Sequence, residues 1–201
     1  MPIEITPSSS DPALATYDSP IGRLTLAAQG GALVGLWVAG QRFFGSPSGI
    51  DEAGARSALD LTSPDSREAV LAEAGWAEAD ALTLSASAAW LDGYFAGEAP
   101  SPACVPLAPA GTDFQRHVWE AMDAIPYGAT RTYGYLTAVL RDAGVPASAQ
   151  AVGGAVGRNP LLLIRPCHRV VAADGPGGYA AGSGAKAWLL AHEAATASSA
   201  S

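Results

Sequence analysis

Cys167 stands after Pro166 and directly before His168 and Arg169, so that a nucleophile, a base and a permanent cation are neighbours in the chain. Cations beside a thiol favour the thiolate, which is the reactive form, and the pattern therefore predicts an activated cysteine. The competing reading is an inert buried cysteine, because residues adjacent in sequence often point apart. Metal chemistry is excluded more firmly: one Cys and one His with no further Cys or His at ligand spacing do not close a tetrahedral zinc site. The only other cysteine, Cys104, lies in an unlike context, so no structural disulfide is expected and both thiols point to a reducing compartment. Neither common Gly-rich phosphate loop occurs, and no cofactor is predicted.

The elements that must position Cys167 are legible on both sides of it. TDFQRHVWEAMDAI opens on a Thr or Asp cap and places Phe114, Val118, Trp119, Met122 and Ile125 at helical spacing. Tyr133 to Leu140 and Ser148 to Val156 read as two short helices joined by RDAGVPA, the outline of a helix-turn-helix, although most such pairs only pack a core. The apolar run Leu161 to Ile164 leads into the cysteine, and a last helix is predicted over residues 186–193, ahead of a disordered tail at 194–201.

Farther upstream, four prolines between positions 100 and 109 interrupt regular structure. A domain boundary is placed there, with a Pro-rich linker at 99–111 between an N-terminal domain at 1–98 and a C-terminal domain at 112–193. Leu24 and Leu26, then Leu33, Val34, Leu36 and Val38, flank Gly30-Gly31 and predict a β-hairpin, with Ala15 to Asp18 as a further strand. Residues 41–65 read as loop with one short helix. Two helices follow, the second over Ser85 to Phe95.

Of the 201 residues, 49% are apolar and 15% charged, a globular composition. No apolar run is long enough for a membrane helix, and MPIEITPSSSDP lacks the basic flank of a secretory signal, so a cytoplasmic protein is expected. The net charge of -8 argues against broad nucleic-acid binding. Lys186 is the sole lysine against ten arginines, so any basic surface must be built from arginine.

The string NPLLLIRPCHRVV, followed by GGYAAGSGAKAWLLAHE, resembles the active-site signature of the O6-alkylguanine-DNA alkyltransferases. TYDSPIGRLTLAAQGGALVGLWVAGQR is similar to the opening of that family's N-terminal domain, and PLAPAGTDFQRHVWEAMDAIPYGATRTYGYL to the start of its DNA-binding domain. The resemblance implies an α+β fold: an N-terminal α/β domain with a small antiparallel, ribonuclease H-like sheet, and a mainly helical C-terminal domain containing a helix-turn-helix. It implies a monomer, with cooperative loading on DNA left open, that flips O6-alkylguanine out of double-stranded DNA. The alkyl group then passes irreversibly to Cys167 in a single turnover, with O4-methylthymine as a second substrate. On the same ground Glu193 orients His168, His168 deprotonates Cys167 through water, and Asn159 braces the active-site turn. Tyr133 assists extrusion and protonates the departing guanine. Val170, Tyr179, Ala180 and Lys186 border the base pocket, with a solvated helix start as the alternative for Lys186.

The chain departs from the family pattern at four places. Gln150 stands where the recognition helix carries an arginine that fills the space of the flipped base. The turn after Leu140 is about three residues longer than usual by comparison with that pattern. Ala180 and Ala181 replace a Gly pair beside the pocket, which adds a methyl group, and Arg165 replaces an apolar residue. Two rival readings follow: a noncatalytic lesion-binding protein, against which Cys167 argues, and a homologue whose thiol serves a small molecule.

Overall fold

The computed structural model describes residues 11–56 and 58–197. The predicted hairpin is β2 (Gly22–Gln29) and β3 (Ala32–Val38), turned through Gly30 and Gly31, both left-handed. It pairs antiparallel through β2 with β1 (Ala13–Ser19), and a two-residue strand, β4 (Leu59–Asp60), joins β1 in parallel, giving the order β3-β2-β1-β4. The sheet is thus mixed, not purely antiparallel as expected. Between β3 and β4 the one short helix expected is α1 (Glu52–Arg56).

Two helices follow, α2 (Pro64–Glu73) and α3 (Glu78–Ala96). The second starts seven residues before the predicted segment, because its first turns are fastened to the hairpin. Asp80 accepts from Gly31 N–H at 2.6 Å and Thr83 donates to the Gly31 carbonyl at 2.8 Å. Leu84, Ala88, Leu91 and Tyr94, spaced at one helical face, are fully buried beneath the sheet.

The C-terminal half begins with α4 (Asp113–Asp123), whose capping box is complete: Thr112 accepts from Gln115 N–H while the Gln115 side chain accepts from Thr112 N–H. α5 (Tyr133–Asp142) and α6 (Ala149–Val156) form the predicted helix pair. Gly144, left-handed at φ 79°, closes α5 as Val145 N–H reaches back to the Leu140 carbonyl. Arg141 then fastens the longer turn by donating to the Ala147 carbonyl at 2.8 Å.

The last helix, α7 (Ser183–Ala197), corrects the expected tail at 194–201. Residues 194–197 continue the helix, since the Thr196 hydroxyl pairs with Tyr127 at 2.8 Å; the rest of that tail, 198–201, lies outside the described residues. No helix among the described residues is long and apolar enough to cross a membrane.

The edge of β3 that faces away from β2 is where the halves are joined. Leu33 N–H donates to Pro106 O at 2.8 Å, so part of the Pro-rich segment lies along the sheet. Leu36 N–H donates to Pro160 O at 2.7 Å and the Leu36 carbonyl accepts from Leu162 N–H at 3.0 Å. The strand edge is covered and the run leading to the cysteine is held to the sheet at the same time.

Candidate active site

From that anchor the chain turns sharply. Leu163 takes a left-handed conformation, φ 68°, and a single 3-10 turn, Cys167–Arg169, places Cys167 and His168 in the interior. Asn159 holds the turn together, with its amide nitrogen donating to the Leu161 and Arg165 carbonyls and lying 3.2 Å from Cys167 Sγ. Beyond the turn, β6 (Val170–Val171) pairs in parallel with β5 (Arg131–Thr132), which brings Tyr133, the first residue of α5, over the cysteine. Gly177 is required beside that ring: it is left-handed at φ 70°, and a Cβ there would stand 3.2 Å from the Tyr133 ring.

His168 is fully buried, and its Nε2 lies 2.7 Å from Glu193 Oε1. Glu193 also accepts from Arg169 in a bidentate fork, from Tyr94 Oη at 2.8 Å and from Gly128 N–H at 3.1 Å. Burial raises the Glu193 pKa, but the hydrogen bonds from His168 and Arg169 outweigh it and hold the carboxyl at about 2. Burial also depresses the His168 pKa, against the pull of Glu193, so the ring is neutral near pH 7. With Nε2–H given to the carboxylate, Nδ1 carries the free lone pair, and it has no hydrogen-bond partner among the described residues.

The thiol corrects the expectation of a ready thiolate. Burial pushes Cys167 up to about 11, with only partial relief from Asn159 and Lys186. Arg169, the adjacent cation, is taken up by Glu193 and by the Ile125 carbonyl. Lys186 is no solvated helix start: it is 1% exposed, and its ammonium donates to the Val170 carbonyl at 2.6 Å and the Gly178 carbonyl at 3.1 Å. The site holds a neutral thiol and a neutral imidazole, a pair that reacts by passing a proton.

Cys167 forms part of the wall of a cavity of about 240 Å³ lined also by Tyr133, Asn159, Tyr179 and Ala180. Of the other residues singled out in the sequence, Val170 lies buried behind the cysteine with its carbonyl engaged by Lys186, and Gln150 is outside the cavity, exposed on the first turn of α6. The Tyr179 hydroxyl is buried without a hydrogen-bond partner among the described residues. Arg165 turns inward, its guanidinium 3.7 Å from Asp123 and over the Trp119 ring. Among the described residues no cluster of three or more His, Cys, Asp or Glu is placed to hold a metal ion.

Four residues of the site escaped the sequence reading. In the sequence Arg169 reads only as a cation for the thiol, and Tyr94 as one more aromatic on a buried helix face. Arg42 and Phe43, from the loop after β3, complete the cavity mouth; a loop of Gly, Ser and Pro gives no signal of which side chains it will direct inward.

Residues 113–195 match the family model described as 6-O-methylguanine DNA methyltransferase, DNA binding domain. Over 176 residues, 87% of this chain and 88% of the other, it is 40% identical to a methylated-DNA--protein-cysteine methyltransferase of Mycobacterium leprae. A protein of that name from Methanosarcina acetivorans is 47% identical over 116 residues, 57% of this chain and 71% of the other. The crystal structure of Mycobacterium tuberculosis O6-methylguanine methyltransferase superposes with a TM-score of 0.66 at 34% identity, covering 92% of this chain and 94% of that one. A Mycobacterium tuberculosis structure in complex with DNA superposes at 0.67 with 36% identity, covering 91% and 93%. Joined to a buried Pro-Cys-His-Arg turn backed by glutamate, these likenesses place the chain in the methylated-DNA--protein-cysteine methyltransferase family.

Proposed function

We propose that this protein repairs DNA directly, taking the alkyl group of O6-alkylguanine, or of O4-methylthymine, onto Cys167. The observation that carries the reading is the buried thiol on a cavity wall with His168, its lone pair free and its ring fixed by Glu193, in the next position. A cavity of this size admits one base and not a duplex, so the nucleotide must be extruded. Asn159 positions the sulfur, a water passes the thiol proton to His168 Nδ1, and Tyr133 supplies a proton to the departing guanine. Burial and the nearby thiol raise the Tyr133 pKa, which keeps that proton in place until it is needed. Tyr179 and Ala180 line the base side of the cavity, and Lys186 fixes the backbone behind it through Val170.

The charge of the chain is compatible with DNA because it is segregated. From the cap of α4 onward, residues 112–201 carry seven Lys and Arg against six Asp and Glu, whereas residues 1–111 carry four against thirteen. The helical half is therefore close to neutral, and the acidity that opposes DNA lies in the N-terminal half. The thioether formed has no good leaving group, so each molecule acts once, as a monomer in the cytoplasm.

The test is incubation with a duplex containing O6-methylguanine, followed by peptide mass spectrometry. A gain of one methylene on the Cys167 peptide, at one equivalent per protein, is expected. Transfer from free O6-benzylguanine with none from the duplex would replace this reading by small-molecule chemistry. Gln150→Arg, on the exposed first turn of α6, is expected to tighten duplex binding by about tenfold, the scale of one charge-assisted hydrogen bond. An unchanged affinity in a fluorescence titration would remove Gln150 from the interface.

A further inference from the structure

Arg42 and Arg158 come from distant parts of the chain, the loop after β3 and the residue pair following α6, yet both lie against one ring. Their guanidinium carbons are 4.6 Å and 4.8 Å from the centre of Phe43. Phe43 is itself held in a left-handed conformation, φ 64°, which is strained for a residue with a side chain. Arg42 N–H is tied to the Ala180 carbonyl at 3.2 Å, and Arg158 donates to the Gly154 carbonyl at 3.1 Å. Arg42 and Phe43 line the cavity mouth, and Arg158 stands between Gly157 and Asn159, which line it as well.

Five of the ten arginines, Arg23, Arg67, Arg116, Arg165 and Arg169, each meet a carboxylate. Arg42 and Arg158 are exposed, and neither forms a salt bridge among the described residues. Two like charges gathered on one ring repel each other, and an anion between them removes that repulsion. A guanidinium fork matches the oxygens of a phosphate, and the ring fixes the planes of both forks. The depth of Cys167 supplies the anion. A base that enters far enough to present its O6 substituent to the sulfur brings the two phosphates of its own nucleotide to the cavity mouth, where these arginines stand.

We propose that Arg42, Phe43 and Arg158 form a phosphate clamp that grips the backbone of the extruded nucleotide, giving the N-terminal half of the chain a direct part in holding the lesion strand. The clamp rests on the duplex-repair reading above. It also supplies, at the far end of α6, cationic contacts that Gln150 does not provide at its start.

Single-turnover transfer from an O6-methylguanine duplex, with half-saturating duplex concentration measured at several salt concentrations, tests it. Each phosphate contact contributes about 0.9 to the slope of log affinity against log salt. Arg42→Gln and Arg158→Gln are each expected to weaken half-saturation several-fold and to lower that slope by about 0.9, and the double variant by about twice as much. Arg42→Lys and Arg158→Lys retain the charge and are expected to retain the slope. Phe43→Ala leaves both charges but frees their orientation, so affinity falls while the slope holds. An unchanged slope in the Gln variants, with wild-type transfer from the duplex intact, would overturn the clamp. If the wild-type protein transfers nothing from the duplex, the repair reading itself fails.

Discussion

Cys167→Ser is expected to abolish alkyl transfer, with a rate loss of at least about ten-thousandfold and no mass gain on the peptide that carries position 167. The reaction breaks the bond between the alkyl carbon and guanine O6 and forms one from that carbon to sulfur, while the thiol proton leaves for His168 and the guanine takes its own from Tyr133. A hydroxyl in the same place is far less acidic than the thiol, which burial already holds at about 11, and neutral oxygen attacks saturated carbon poorly. At pH 7 only about one Cys167 thiol in ten thousand is ionised at rest, so the thiolate must be made as it reacts. The pH profile checks this. If neutral His168 is the base, the rate is flat above its depressed pKa and falls below it as the ring is protonated. A rate climbing tenfold per unit between pH 7 and 9 would mean attack by thiolate formed without His168. Measurable transfer by Cys167→Ser would remove the sulfur from the mechanism altogether.

Local signals in the sequence were sufficient for the elements that carry Cys167, and insufficient for what faces it. The Thr or Asp cap announces α4 because capping is a contact between residues three apart, which the structure completes as Thr112 with Gln115, and Gly144 marks the end of α5 for the same local reason. The strands β4, β5 and β6 have two residues each, too few for an alternation to show, yet the β5 to β6 pairing is what lays Tyr133 over the thiol. Tyr94 and Glu193 are 99 residues apart, and nothing in either neighbourhood shows that one hydroxyl will meet the other's carboxylate. The final helix runs past its expected end for a related reason: AATASSAS after Glu193 reads as a small-residue tail, whereas Thr196 is held both by the His192 carbonyl within the helix and by Tyr127, distant in sequence. The thiol's pKa is not legible in the sequence, which supplies the neighbouring cation but not its partner; Arg169 faces Glu193, and depth of burial then decides. The same distance effect hid Arg42 and Phe43, whose place at the cavity depends on the loop meeting Ala180.

Glu193→Gln follows from that coupling and is expected to damage stability and activity together. The carboxylate is 1% exposed and takes hydrogen bonds from His168, Arg169, Tyr94 and Gly128. Glutamine keeps one acceptor oxygen, but its amide nitrogen turns a donor toward a site where Arg169 and Gly128 already donate. The guanidinium of Arg169, only 12% exposed, would lose its counter-charge. Breaking a buried pair from one side costs about 3 to 5 kcal/mol, a large share of the roughly 5 to 15 kcal/mol that stabilises a typical domain. Transfer should fall by about a hundredfold or more, since His168 loses the partner that fixes its ring and stabilises its protonated form. The pH dependence separates this from simple misfit. The folded pKa of about 2 lies below the ordinary 4.5, so the contribution of Glu193 is fully present above pH 4.5 and is lost as pH falls through about 2. Denaturant unfolding of the wild type should therefore weaken relative to Glu193→Gln across that window, with the gap between the two curves closing toward pH 2. Curves that stay parallel from pH 5 to pH 2 would mean that the carboxylate's charge contributes nothing, and that the variant's defect is one of shape.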